Sequence, residues 1–407
     1  MGWRIWRWTW RLSATVVLVF CGGVAAWLFA LGRPPAVPPI PADAGRLPEP
    51  EYSVTWVPGI GPRQYGHCTR ILSIDGGGVR GLVPALILAE IERRLGKPIY
   101  AQFDLIAGAS TGALLALGLT RPSDADARRP SFTAQSLVQF YRDQSQQIFP
   151  NSWPLLRALR RVFRSAYDPS AIDRELDKIF GDVRLKEALT NVLVPAYEIE
   201  DGRRLWFSSY STPYGDVLMR DLARGATAAP TYLQPTRFAV QRRVSAKGYV
   251  SLVDGALFAN NPAPEALARG RKLRAGSDAS LMLVSIGTGA SPQHYQFADV
   301  WSWGTLGWID ALLSIAFSDP AIHEEMRRAL EGNNNYFRLQ PELGNPPVDI
   351  DDSRPATLQR MEQRTQEYIR AHADAFETLA RTLELPRSPQ CGPKVGPDYE
   401  RPTGPRH

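Results

Sequence analysis

Two short apolar runs set the strongest limits on how this chain can fold. Arg70-Ile71-Leu72-Ser73-Ile74 and Phe103-Asp104-Leu105-Ile106-Ala107 each end in a cluster of small residues, and each cluster opens a helix-length apolar segment. Runs this short and this apolar read as strands buried on both faces. The segment after the first, Leu82 to Leu95, has Pro84 in its first turn and Gly96 as a stop. The segment after the second, from Thr111 to about Thr120, is apolar throughout. Strand, helix, strand, helix predicts a mainly parallel sheet with right-handed crossovers. Further strands are predicted at 192–196, 205–208, 249–253 and 281–286, with mainly helical sequence over 121–190 and 290–385.

The small-residue clusters are where chemistry can sit. Asp75-Gly76-Gly77-Gly78-Val79-Arg80-Gly81 matches G-x-G-x-x-G at Gly76, Gly78 and Gly81, so a dinucleotide site must be weighed. Such a site wants an acidic residue at the end of the next strand, to bind a ribose hydroxyl. That end carries Gly108-Ala109-Ser110 instead. The better reading is that Gly76, Gly77 and Gly78 expose backbone N–H groups at the positive end of the following helix, a preformed place for a developing oxyanion.

Gly108-Ala109-Ser110-Thr111-Gly112 is G-x-S-x-G placed where a strand turns into a helix, the setting that gives this motif meaning. Gly108 and Gly112 permit the sharp turn, and Ser110 becomes a candidate nucleophile at a helix N-terminus. A serine needs a base. His294, beyond the strand ending at Ile286, would serve a Ser-His esterase of the α/β-hydrolase type. Asp254-Gly255-Ala256, at the end of the 249–253 strand, offers an aspartate that could reach a neighbouring strand end, with Gly255 permitting close backbone approach.

Composition narrows the partners. Three cysteines (Cys21, Cys68, Cys391) without a CxxC pair, and five scattered histidines, argue against a metal site. The net charge of +6 suits an anionic membrane surface, while the absence of a dense basic block interleaved with aromatics argues against nucleic acid. The N-terminal end adds a membrane expectation. Leu12 to Gly32 is uncharged and mostly apolar, close to the roughly 20 residues that span a bilayer. It follows Arg4, Arg7 and Arg11 interleaved with tryptophans, which predicts a cytoplasmic N-terminus and an exported domain. Cleavage near Val24-Ala25-Ala26 is the alternative and would release a secreted protein without residues 1–26. In either case Cys68 and Cys391 would meet an oxidising environment and could pair.

The expected plan is an anchor or signal segment over 1–33, a Pro-rich spacer over 34–69, a catalytic domain over 70–340, a helical extension over 341–385 and a tail over 386–407. Three other segments invite interpretation. Trp153 to Arg164 reads either as an interfacial helix or as a plain amphipathic one, and the stretch from Trp301 to Leu313 either walls an acyl pocket or packs in the core. Asp349, Asp351 and Asp352 form an acidic cluster unlike a calcium loop, expected to be a solvated turn.

The glycine loop, Gly108-Ala109-Ser110-Thr111-Gly112 and Asp254-Gly255-Ala256 together resemble the patatin-like phospholipase family. The resemblance extends to Asn191–Tyr197, Ala226–Tyr232 and Ser285–Gly289, with core motifs over 71–267. The third motif reads D-G-A where many relatives have D-G-G. The resemblance implies a three-layer α/β/α fold and hydrolysis of phospholipid or other acyl-lipid esters without a cofactor. It puts the nucleophile on Ser110, the proton acceptor on Asp254, and the oxyanion loop on Gly76, Gly77, Gly78 and Arg80. The rival reading from a different class is a catalytically silent, membrane-bound lipid-binding protein.

Overall fold

The computed structural model describes residues 67–150, 165–273 except 212, 281–290, 295–301, 320–330, 336–387 and 391, with 303, 308, 311, 312 and 315 between. Both segments read as membrane-related, Leu12 to Gly32 and Trp153 to Arg164, lie outside these residues, as does His294. Among the described residues no helix is long and apolar enough to cross a membrane.

The chain divides into two units, Pro50–Gln293 with Leu313–His407, and Met1–Glu49 with His294–Leu312. The larger unit carries one sheet of eight strands. These are β1 (Thr69–Ile74), β2 (Leu105–Gly108), β3 (Asn191–Glu198), β4 (Arg203–Ser208), β5 (Thr236–Ala239), β6 (Tyr249–Asp254), β7 (Leu281–Ile286) and β8 (Tyr336–Leu339). The order is β5-β6-β3-β2-β1-β7-β8, with β4 paired to β3 off this path. Pairs β1–β2, β1–β7, β2–β3 and β7–β8 are parallel, whereas β3–β4, β3–β6 and β5–β6 are antiparallel. The expected mainly parallel sheet is therefore mixed, parallel in one half and antiparallel in the other. Two strands were not expected at all: β5, a half-exposed edge strand, and β8, which carries a buried arginine inside a segment read as helical.

Side-chain alternation along the central strands sorts the core into two layers. Leu72, Ile74, Ile106 and Val192 belong to one apolar cluster, Ile71, Leu105, Ala107 and Leu193 to the other. The first cluster takes up α1 (Leu82–Leu95), α2 (Thr111–Thr120), α3 (Ala134–Ile148), α4 (Ser170–Phe180) and α5 (Met219–Ala226). Beyond the short α6 (Ala256–Ala259), helix α7 (Ala263–Leu273) contributes to the second. Three layers result, helices on each face of the sheet. Helix α2 is buried on every side, as its unbroken apolar sequence demands. Helix α1 stops at Gly96, whose φ of 59° lets its N–H return to the Glu92 carbonyl at 2.8 Å.

In the smaller unit, α8 (Phe297–Val300) leads into an aromatic cluster in which Trp303 packs edge-on against Tyr295 and Trp308. Phe297, Trp301, Trp308 and Leu312 are exposed, so the stretch from Trp301 is not plain core packing. In the larger unit, α9 (Pro320–Ala329) packs on the α7 face, and α10 (Pro355–Ala371) and α11 (Ala373–Glu384) pack on the α1 face.

The opposite end of β1 is tied to the C-terminal segment. Arg70 donates to the carbonyls of Leu383 and Leu385, Arg387 pairs with Asp104, and Cys68 forms a disulfide with Cys391. The acidic cluster departs from the expected solvated turn: Asp351 and Asp352 are buried. Asp351 accepts from the Tyr167 hydroxyl at 2.6 Å, and Asp352 accepts from Arg354 and Thr357. A carboxylate with such partners can leave water without facing the full cost of an unpaired charge.

Candidate active site

Strand β3 is where the site is organised. Along one edge it pairs with β2 at Asn191, Val192 and Leu193, and with β6 at Ala196, Tyr197 and Glu198. The other edge belongs to β4, which pairs with both Leu193 and Ala196. Because β2 runs parallel to β3 and β6 antiparallel, the C-terminal ends of β2 and β6 approach each other head to head beside the middle of β3. Ser110 follows one of those ends and Asp254 closes the other.

The turn after β2 is tight and strained. Ser110 has φ 52° and ψ −121°, a combination that L-residues avoid and that persists only where its surroundings impose it. Those surroundings are visible: a Cβ at Gly108 would collide with the Gly112 carbonyl, and one at Gly112 with the Ile74 carbonyl. Both glycines are thus demanded by space, and together they force the strand to turn at Ser110 straight into α2. At the other end, a Cβ at Gly255 would strike the Pro195 carbonyl of β3, which is the close approach expected there.

Asp254 is wholly buried. Its Oδ1 accepts the Ala256 N–H at 2.8 Å. Burial pushes its pKa up to about 7, while the Ser110 hydroxyl and the Ala256 amide pull the other way. The Ser110 contact is loose: close enough to draw the carboxyl's proton affinity down, yet Oδ2 has no partner within ordinary hydrogen-bond limits among the described residues. Such contacts commonly tighten only with substrate in place. An unperturbed aspartate, near pKa 3.9, is a poor base for an alcohol. Here desolvation lifts Asp254 toward neutrality, into the range where proton acceptance is effective.

The glycine loop is more specialised than its sequence suggests. The Gly76 N–H is already engaged with the Asn260 carbonyl at 3.0 Å, and Thr288 Oγ1 donates to the Gly76 carbonyl at 2.8 Å. The Val79 N–H reaches the Ile350 carbonyl at 2.8 Å. Gly77 and Gly78 are left as the two loop glycines whose amides no loop or cap hydrogen bond takes among the described residues, and both line the cavity beside Ser110. Gly76 thus acts as a backbone fastener. Arg80 does not line the cavity either; its guanidinium lies near Asp349, Tyr232 and Asp75. Gly81 lets the loop pack against Thr111 and Tyr141, whose hydroxyls hydrogen-bond each other.

Ser110, Asp254, Gly77 and Gly78 line one cavity. Its remaining wall is largely apolar, with Leu114, Phe140, Ile148, Phe149, Ile172 and Leu233 prominent. No histidine lines it among the described residues. No group of His, Cys, Asp or Glu among the described residues is placed to hold a metal ion.

Sequence reasoning missed the supports of this site: Asn260 and Thr288, which fasten Gly76, and Arg338, which donates to Asp75 at 2.6 Å. Thr231 was also missed. It lies in the cavity-flanking segment with φ 70°, a strained value for a β-branched residue. The resemblance covered the segments around Asn260, Thr288 and Thr231, but nothing local marked those side chains.

Residues 72–267 match the family model of patatin-like phospholipases. Patatin-like protein 2 of Arabidopsis thaliana is 33% identical over 316 residues, covering 69% of this chain and 77% of that protein. Patatin-like protein 4 of the same plant is 31% identical over 337 residues, covering 74% and 83%. Among solved structures, human GIVD cytosolic phospholipase A2 is a loose likeness: TM-score 0.40 and 13% identity, covering 79% of this chain and 60% of that one. With its relatives matched along most of their length, the chain belongs to the patatin-like phospholipase family.

Proposed function

We propose that this protein is a serine acyl hydrolase of phospholipids or related acyl lipids, working through a Ser110–Asp254 dyad and an acyl-enzyme. The observation that carries the reading is the meeting of a strained serine with a buried aspartate of pKa about 7 at the wall of a mainly apolar cavity. Asp254 accepts the Ser110 proton as Oγ attacks the ester carbonyl. The oxyanion then develops against the Gly77 and Gly78 N–H groups, near the N-terminal end of α1. Asp254 returns the proton to the leaving alcohol, and the acyl chain stays on Ser110 Oγ. Water then attacks the acyl-enzyme with Asp254 again taking the proton, which passes to Ser110 Oγ as the acyl–oxygen bond breaks, releasing fatty acid and free serine. The apolar wall favours an acyl chain and shields the developing oxyanion from competing water.

A membrane-held, exported enzyme is part of the same proposal. The Cys68–Cys391 disulfide supports it, since such bonds persist in oxidising compartments. Leu12 to Gly32 would be the anchor.

The test is a panel of phospholipids, lysophospholipids and neutral acyl lipids incubated with the full-length protein, read by mass spectrometry of released fatty acids. Ser110→Ala and Asp254→Asn should each abolish release, while His294→Ala should not. Full activity in Asp254→Asn, with loss in His294→Ala, would replace the dyad by a Ser-His pair. A wild type that neither turns over any ester nor reacts at Ser110 with a fluorophosphonate would leave a lipid-binding protein. For the compartment, protease added outside intact cells should reach the domain; complete protection would contradict export.

A further inference from the structure

Arg338 stands behind the proposed reaction centre without touching it. It is the third residue of β8, in register with Ser285 of β7, and its guanidinium crosses the end of β7 to reach the residue after β1. Nη1 donates to Ser285 Oγ at 2.7 Å and Nη2 to Asp75 Oδ2 at 2.6 Å. Arg338 and Asp75 side chains are only 11% and 7% exposed, so both charges have left water.

Stability alone is a poor reason for such a pair. Desolvation offsets most of the attraction, and apolar residues of similar volume often serve as well. What a buried, doubly hydrogen-bonded guanidinium does well is hold atoms at one place. Asp75 immediately precedes Gly76-Gly77-Gly78, and three successive glycines offer the backbone a wide choice of conformations. An oxyanion hole tolerates little of that freedom, because its donors must already point at the position the oxyanion will occupy. Downstream, the loop is held by uncharged bonds from Gly76, Thr288 and Val79. Upstream, the charged tether is Arg338.

We propose that Arg338 is a positioning residue for the oxyanion loop. Through Asp75, with Ser285 as its second tether, it holds the Gly77 and Gly78 N–H groups where the carbonyl oxygen attacked by Ser110 becomes charged. This rests on the acyl-hydrolase reading above. Arg338 does not line the cavity. It therefore acts on the transition state and leaves substrate binding nearly alone, which separates kcat from KM.

The experiment uses full-length wild type, Arg338→Met, Arg338→Lys, Ser285→Ala and Ser110→Ala with a soluble short-chain p-nitrophenyl ester. Active sites are counted by complete labelling with a fluorophosphonate, so that kcat refers to labelled sites only. Arg338→Met should lower kcat per site by about 10- to 100-fold, the scale of a displaced catalytic group, with KM within about 3-fold of wild type. Arg338→Lys, able to satisfy one acceptor but not both, should recover part of the loss. Ser285→Ala should show a smaller drop of the same kind. A merely structural role would reduce the number of labelled sites or the melting temperature and leave kcat per site unchanged, and that result overturns the proposal. If Arg338→Met yields no labelled protein, the other two variants decide: wild-type kcat per site in both overturns it, and a drop in either with KM unmoved supports it. Failure of the underlying mechanism has a different signature, namely turnover by Ser110→Ala.

Discussion

Asp75 and Asp254 close neighbouring regions of the same sheet end, are both buried, and meet burial with different partners. Desolvation pushes both carboxyls up. Asp75, raised overall, has the Arg338 guanidinium at 2.6 Å and the Arg80 charge opposing that rise, whereas Asp254 is opposed by the Ser110 hydroxyl and the Ala256 amide, neither of them charged. A carboxylate facing a buried cation is a tether, because its charge is already spoken for. A carboxylate facing a hydroxyl and an apolar cavity can take and return a proton near neutrality. Residue type and depth are shared; the neighbouring charge decides the role.

The sharpest way to break this contrast is through activity. Asp254→Asn removes the proposed proton acceptor and should cost on the order of 10³-fold or more in kcat per active site, as loss of a base that works with a serine commonly does. Measured on a soluble ester, an Asp254→Asn enzyme within tenfold of wild type would mean the base lies elsewhere.

Stability should then separate the two aspartates in opposite directions. Asp75→Asn leaves the Arg338 charge buried and uncompensated, so unfolding free energy should fall by about 3–5 kcal/mol. Urea midpoints at pH 8 would show it, and an unchanged midpoint would mean that water already reaches the guanidinium. Asp254→Asn should do the reverse, gaining on the order of 1–3 kcal/mol at pH 8. The sign follows from proton binding. The folded-state pKa of about 7 lies above the unfolded value, so between about pH 4 and pH 7 the native state binds more protons than the unfolded state. Stability therefore falls as pH rises through that window, and the variant's advantage should vanish below about pH 4. A variant less stable than wild type at pH 8 would contradict the account of Asp254 as a desolvated, unpaired acid.

The smallest effect expected concerns pH and rate. If Asp254 must be ionised to act, kcat/KM should climb with pH and reach half its plateau near 7. In Ser285→Ala that midpoint should stay in place, within about half a unit, since Ser285 contacts the tether and not the base. A profile flat from pH 5 to 9 would detach the rate from Asp254.

Much of the framework was legible along the chain. β1, α1, β2 and α2 follow from apolar runs punctuated by Gly and Pro, since strands buried on both faces and a helix buried all round leave uninterrupted hydrophobic stretches. Helices Leu82–Leu95 and Thr111–Thr120 match the expected bounds, and β7 matches Leu281–Ile286. The strands that escaped notice lack that signature. β5, Thr236–Ala239, alternates between half-buried and exposed at an edge, and β8 interrupts its apolar run with Arg338. A buried arginine looks like a surface residue until its partner, 263 positions earlier in the chain, is brought beside it. The acidic cluster misled for the same reason: Tyr167 and Thr357 make buried places for Asp351 and Asp352 that sequence proximity does not announce.

The chain by itself determined the local devices: one strand-to-helix turn with a serine at its crest between Gly108 and Gly112, and a second strand-to-helix turn whose glycines can offer amides. These are matters of covalent geometry and near neighbours. Tertiary structure alone decided that β6 runs against β3, so that Asp254 meets the end of β2, that the Gly76 amide is taken up by the Asn260 carbonyl, and that burial raises the Asp254 pKa to about 7. Strand direction, hydrogen-bond competition and desolvation all depend on residues distant in sequence, and they exist only once the chain has closed around the site.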